Sequence, residues 1–272
     1  MTGATGLPGA PEAGGGEGQA AQWPPQTSLS RALTAIAVGA IILALATFAA
    51  VLTGSVFDRA AGMGEARTWA AGEYEAMTTA RLATFLMVFQ IVTLALTFVA
   101  AAFFGRGRER LLPVAAPRGG TAALVVSAVV LLALAAAFAG AVFYVDKGAI
   151  VSDVQPIVQI LQTRTWWLML FVTVIGAPVA EEFLFRGFLF GVLRTSAAGF
   201  AGTALVTAFI WSTLHASYSL YGMTAIFLIG LYLAWVREKT GSLITPLVCH
   251  AVYNGLIVLV LASAPDTIFQ LS

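Results

Sequence analysis

Charge is what this sequence has least of. Only 10% of its 272 residues are charged, against 59% hydrophobic, whereas roughly a quarter of a soluble chain is charged. That deficit excludes an ordinary soluble domain and puts most of the chain in lipid. The few charges nearly cancel, 14 basic against 13 acidic for a net +1, so there is no basic surface to hold nucleic acid, which drops out as a partner. Cysteine is reduced to Cys249, and one thiol cannot close an internal disulfide, so the redox compartment is not readable. There are two histidines, His215 and His250, and no His-Glu-x-x-His pattern.

What is present is a series of apolar runs: Ala32 to Thr53, Leu82 to Phe104, Thr121 to Val145, Thr165 to about Phe190, Phe200 to Leu214, Met223 to Val236 and Leu243 to Ala262. A bilayer needs about 20 apolar residues per helix, so the fifth and sixth are short. The runs lack the alternation of a membrane barrel, and backbone groups in lipid must then be satisfied within helices. The expected fold is all-α, a polytopic bundle of about seven transmembrane helices. Residues 1–30, rich in Gly, Ala, Pro and Gln, bury too little to order themselves and are expected to be a disordered tail. The first run contains Ala44-Leu45-Ala46 but is too long for a signal core, and is expected to be an uncleaved span.

Basic residues favour one side. Arg31, Arg106, Arg108, Arg110, Arg118, Arg194, Arg237 and Lys239 fall together if spans alternate, against Arg59, Arg67, Arg81, Lys147 and Arg164 on the other side. Eight against five predicts a cytoplasmic N-terminus. A composition break divides the chain into N-terminal spans over residues 31–163, with no ionisable residue in their interiors, and a region over 164–272 that holds every unusual polar residue.

Within that region, Ala177-Pro-Val-Ala-Glu181-Glu182-Phe-Leu-Phe-Arg186-Gly187 sets two carboxylates inside an apolar stretch. Each costs about 2.5–3.5 kcal/mol at the centre of a spanning helix. Glu182 and Arg186 are four apart, the spacing of an ion pair on one helical face. Glu181 is rotated about 100° away and left for another task. A desolvated carboxylate suits general acid or base work near neutral pH. A buried salt bridge pinning two helices would explain Glu182 and Arg186 but leaves Glu181 without a purpose. His250 and Asn254, also four apart, share a helical face and can aim donors at one target. Pro178 can free backbone carbonyls just before the carboxylates. Gly187 and Gly191 have the spacing that admits a close neighbouring helix. Cys249 points away from His250 and reads as packing. On depth, Glu181 stands ~24 Å from Thr165 and His215 ~22 Å from Phe200, from opposite ends, so they meet only with tilt, a break or shifted ends.

Glu181-Glu182-x-x-x-Arg186, then Trp211-x-x-x-His215, then His250-x-x-x-Asn254, in order on successive apolar runs, resembles the CPBP family, the CAAX prenyl endopeptidase and bacteriocin-processing (Abi) membrane proteases. The resemblance covers roughly Trp166 to Leu261. It implies a glutamate-dependent intramembrane endopeptidase in which Glu181 with His215 activates water, His250 with Asn254 forms the oxyanion hole, and Glu182 with Arg186 supports them. Family members usually carry Phe four residues before the first His, where this chain has Trp211. Members have also been described as metalloproteases, but this chain has no His-Glu-x-x-His pattern, so no cofactor is expected to be required, with Zn²⁺ held by Glu181, His215 and His250 as the alternative.

The expected partners are the lipid bilayer and a peptide or protein substrate, lipidated or not. The expected location is a multi-pass cell membrane, of a bacterium by the Ala/Gly/Arg bias. Two other readings compete: a non-catalytic membrane scaffold or immunity protein, which would not need Glu181, and a proton-relay transporter, weakened because no second half mirrors the first.

Overall fold

The structure, a computed structural model, describes residues 28–63, 73–104 and 111–263. The expected tail lies outside these residues except at its end, where Ser28 caps the first helix by accepting from the Arg31 amide at 3.3 Å. The described chain forms α1 (Leu29–Ala61), α2 (Glu73–Phe104), α3 (Gly120–Val145), α4 (Lys147–Leu161), α5 (Trp166–Leu193), α6 (Gly199–Thr213), α7 (Leu220–Thr240) and α8 (Ile244–Ser263). No strand occurs among the described residues. Six of these helices are long and apolar enough to cross a membrane, and α6 is a shorter apolar one. Together they account for the seven expected helices.

The helix that the apolar runs do not predict is α4. It buries Val151 and Val158 while exposing Ser152, Gln155 and Gln159, an amphipathic pattern that a search for continuous apolar stretches passes over. Helix α1 runs eight residues past its predicted end and stops at Gly62, whose φ of +66° is left-handed. The Gly62 and Met63 amides there close on the Arg59 and Asp58 carbonyls. A helix stop of this kind favours glycine because a Cβ would clash.

Helix α1 lies along α2 and buries small residues, Ala35, Gly39, Ala46, Ala50 and Gly54, of which Gly54 faces Arg81 of α2 and Gly39 faces Leu189 of α5. Helix α5 occupies the middle, contacted by α1, α2, α6, α7 and α8. Leu184, Phe185, Phe188 and Phe190 are completely buried, as expected of a helix apolar on all sides.

At the basic end of the bundle, residues 111–118 form a strap along the α7–α8 turn. Leu243 N–H donates to the Pro113 carbonyl at 2.8 Å, Arg118 N–H to Thr240 O at 3.0 Å, and Ser242 Oγ to Ala115 O at 2.6 Å. The strap, rather than a helix, fills the Gly187/Gly191 surface. A Cβ on Gly187 would lie 2.6 Å from Leu112 Cδ2, and one on Gly191 2.8 Å from Leu111 Cδ2. The spacing calls for a close neighbour, and Leu111 and Leu112 at the start of the strap meet that need. At the opposite end, Asp153 of α4 accepts from the Ser219 amide at 2.6 Å and the Ser219 hydroxyl at 2.7 Å. Ser219 in turn caps α7 by accepting from Gly222 N–H. Helix α4 thereby anchors residues 214–219, which carry His215 and Tyr218.

Candidate active site

Helix α5 reaches the glutamates through two π-helical turns, Val172–Gly176 and Phe183–Leu189, on either side of Ala177–Glu182. Such turns are rare and cluster at functional sites. In the first, Ala177 N–H reaches back five residues to Val172 O. The next residue, Pro178, has no N–H, so in the same register the carbonyl of Thr173 loses its donor. Asn254 Nδ2 of α8 donates to that carbonyl at 2.9 Å. Gln90 Nε2 of α2 donates to the neighbouring Val172 carbonyl at 3.0 Å. Proline thus widens α5 rather than breaking it, and two side-chain amides from separate helices satisfy the exposed backbone.

The adjacent carboxylates have different surroundings. Glu182 and Arg186 are both 0% exposed. Arg186 donates to Glu182 Oε1 at 2.9 Å and to Gly230 O at 3.3 Å, and His250 Nδ1 lies 3.0 Å from the same Glu182 oxygen. A buried charge needs this pairing, because an isolated one is expelled or neutralised. Arg186 also lies over the Trp211 ring, 4.4 Å from its centroid. Glu181 is only partly buried, and its Oε2 accepts from Trp211 Nε1 at 2.5 Å.

Trp211, 3% exposed, is the hub of the cluster. Both histidine rings stand tilted against it, with centroids 5.5 Å away for His215 and 5.4 Å for His250. Gly230 of α7 makes room, since a Cβ there would come within 2.9 Å of Ala208 Cβ and 3.2 Å of Trp211. The depths agree because α5 continues to Leu193. Glu181 lies twelve residues before that end and Trp211 twelve after Gly199, so each stands ~18 Å from the shared turn.

The hydrogen bonds fix the histidine tautomers. His215 Nδ1 lies 3.0 Å from the Trp211 carbonyl, which can only accept, so Nδ1 carries the proton and Nε2 is left to act. His250 Nδ1–H donates to the Glu182 carboxylate, and that ring likewise keeps Nε2. Of the predicted residues, Glu182, Arg186 and His250 form one buried network, and Glu181 and His215 both bind Trp211. The bonds that His250 and Asn254 make here go to different groups, Glu182 and the Thr173 carbonyl, on different stretches of α5. Asn254 keeps a second amide hydrogen.

The zinc alternative names Glu181, His215 and His250; the bonds seen here engage Glu181 Oε2 and His215 Nδ1 with Trp211 and His250 Nδ1 with Glu182, and leave Nε2 of both rings open. Among the described residues, no three His, Cys, Asp or Glu side chains are grouped to hold an ion. Cys249 is buried, in keeping with packing.

Three residues of the site's surroundings escaped the sequence reading. Trp211 was noted only as a departure from the usual Phe. Gln90 is the single amide in the run Leu82 to Phe104, a signal lost to a search for ionisable groups. Tyr218 follows His215 by three residues and stands 6.1 Å from it, ring to ring. Burial first, then the charges of Asp153 and Glu181, hold the Tyr218 phenol above its ordinary pKa, so it stays a neutral donor in that outer turn. Leu205, Val206, Phe209, Ile210 and Phe227 line an open apolar groove of about 330 Å³ between α6 and α7.

Residues 163–256, about a third of the chain, match the family described as Type II CAAX prenyl endopeptidase Rce1-like. That span takes in α5 through most of α8, with all six predicted site residues. No curated protein and no solved structure matches the chain.

Proposed function

From a segment that matches the Rce1-like CAAX prenyl endopeptidases and lies in a membrane helix bundle, we propose that this chain is an intramembrane endopeptidase using Glu181 as its base. The observation that carries the reading is the division of labour between adjacent glutamates. Glu182 is locked in the core by Arg186 and His250, whereas Glu181 is accessible and held by one N–H from Trp211.

In the proposed reaction Glu181, with His215 Nε2 accepting beside it, takes a proton from water as the oxygen attacks the scissile carbonyl. The second N–H of Asn254, together with His250, stabilises the oxyanion. The proton then passes to the amide nitrogen, the C–N bond breaks, and a carboxylate and an amine leave. The substrate is a membrane-associated peptide or protein, lipidated or not, and the groove between α6 and α7 offers an apolar wall to such a chain. No metal takes part in this scheme.

The test is cleavage of a mixed peptide and lipopeptide library by purified protein in detergent, before and after exhaustive chelation. Cleavage is expected to survive the chelator. Loss restored by Zn²⁺ would move the chemistry to a metal centre and overturn this mechanism. Trp211→Phe keeps the ring for Arg186 and both histidines but removes the N–H on Glu181. Since a hydrogen bond to a charged group contributes about 1.5–3 kcal/mol, kcat is expected to fall at least about tenfold. An unchanged kcat would show that this bond does not orient the base.

A further inference from the structure

We propose that Gln90 and Gly176 form a lock through which the N-terminal helices position Glu181 and Glu182. Its kinetic consequence rests on the endopeptidase reading above, and its structural content does not. Gln90 comes from α2, outside the matched segment 163–256, and nothing in the motif pattern points to it.

Gln90 is 8% exposed and spends its Nε2 on the Val172 carbonyl, the same carbonyl that takes the Ala177 amide in the π turn. A carbonyl oxygen has two lone pairs, so both bonds coexist. Gly176 lies at the far end of that turn, and a Cβ there would overlap the Gln90 carboxamide. The glycine therefore serves close approach, since its backbone is right-handed like that of its neighbours. Four residues fix the turn from three helices: Gln90 on Val172 O, Asn254 on Thr173 O, Gly176 admitting the first, and Pro178 forbidding the amide that would compete with the second.

The turn ends one helical turn before Glu181, so its register sets the direction of both carboxylates. If it relaxed to α geometry, every later residue of α5 would move by one position, or ~100° of rotation. Glu181 would then leave Trp211, and Glu182 would leave His250. A buried amide in a membrane helix can also be a mere interhelical tie. Such a tie would affect stability without affecting the placement of Glu181.

The experiment uses the full chain in detergent. Gln90→Met keeps the volume and loses the donor; kcat is expected to fall on the order of 10²-fold with KM unchanged, the size of effect that an ångström of misplacement produces. Gly176→Ala should reproduce the loss by displacing the amide. The double variant should be no worse than Gln90→Met alone, since both remove one interaction. Additive losses, or a loss of stability with kcat preserved, would overturn the proposal.

A second arm needs no catalysis. Glu181→Cys is placed in a Cys249→Ala background and labelled with a water-soluble thiol reagent, with and without Gln90→Met. The lock predicts that Gln90→Met changes the labelling rate, and an unchanged rate overturns it. If wild type and Glu181→Gln cleave nothing, the endopeptidase reading fails while this arm still decides on the lock.

Discussion

Glu181→Gln is expected to lower peptide cleavage by roughly 10²–10⁴-fold, the contribution of a positioned general base, while leaving the thermal midpoint of the purified protein in place. The substitution keeps the side-chain shape, and the amide oxygen still accepts from Trp211 Nε1, now 2.5 Å from Glu181. Glu181 is partly exposed and belongs to no ion pair of the core network, so its charge has little to do for the fold. The measurement is kcat and thermal midpoint on the same preparations. Equal cleavage by wild type and variant would remove the central residue of the enzyme reading, and a non-catalytic scaffold would then explain the chain better.

Arg186→Met is expected to act on stability instead. Removing it leaves Glu182 fully buried with His250 as its one remaining partner among the contacts seen here. Breaking a buried pair by deleting one partner costs about 3–5 kcal/mol, a large part of the roughly 5–15 kcal/mol that keeps a typical domain folded. The same change removes the donor to Gly230 O and the cation over Trp211, so α5, α6 and α7 loosen together. The check is unfolding of the purified chain in mixed micelles. The double variant Glu182→Gln/Arg186→Met should recover much of the loss, because a neutral pair no longer leaves a buried charge unmatched. A double variant as unstable as the single one would mean that packing rather than charge dominates at Arg186.

The two variants separate what the site needs for chemistry from what it needs to exist. Glu182, Arg186 and His250 are buried and joined through Glu182, as a structural network is, and of the three His250 alone also has a role in the proposed reaction, through its remaining ring nitrogen. Glu181, His215 and Asn254 are partly exposed and each keeps an unused donor or acceptor. The family's motif pattern cannot draw this line, because both kinds of residue recur in it at the same regular spacings.

The sequence by itself determined the solvent, the fold class and the address of the site. Scarce charge and repeated apolar runs leave only membrane helices, because lipid offers the backbone no other partners. A 3.6-residue period puts Glu182 with Arg186 on one face and Glu181 on another, and the structure has that separation. The tertiary structure decided what period and hydropathy do not encode. Whether Asn254 and His250 share a target depends on the π turn of α5, which Pro178 permits but which amides from α2 and α8 complete. Trp211 is a hub only because Gly230 lets α7 come close. Helix α4 and the strap at 111–118 are placed by hydrogen bonds to residues far along the chain. Interactions between neighbours on one helix follow from local geometry, whereas those between distant residues exist only after the helices have packed, and for that reason Gln90 was invisible until α2 met α5.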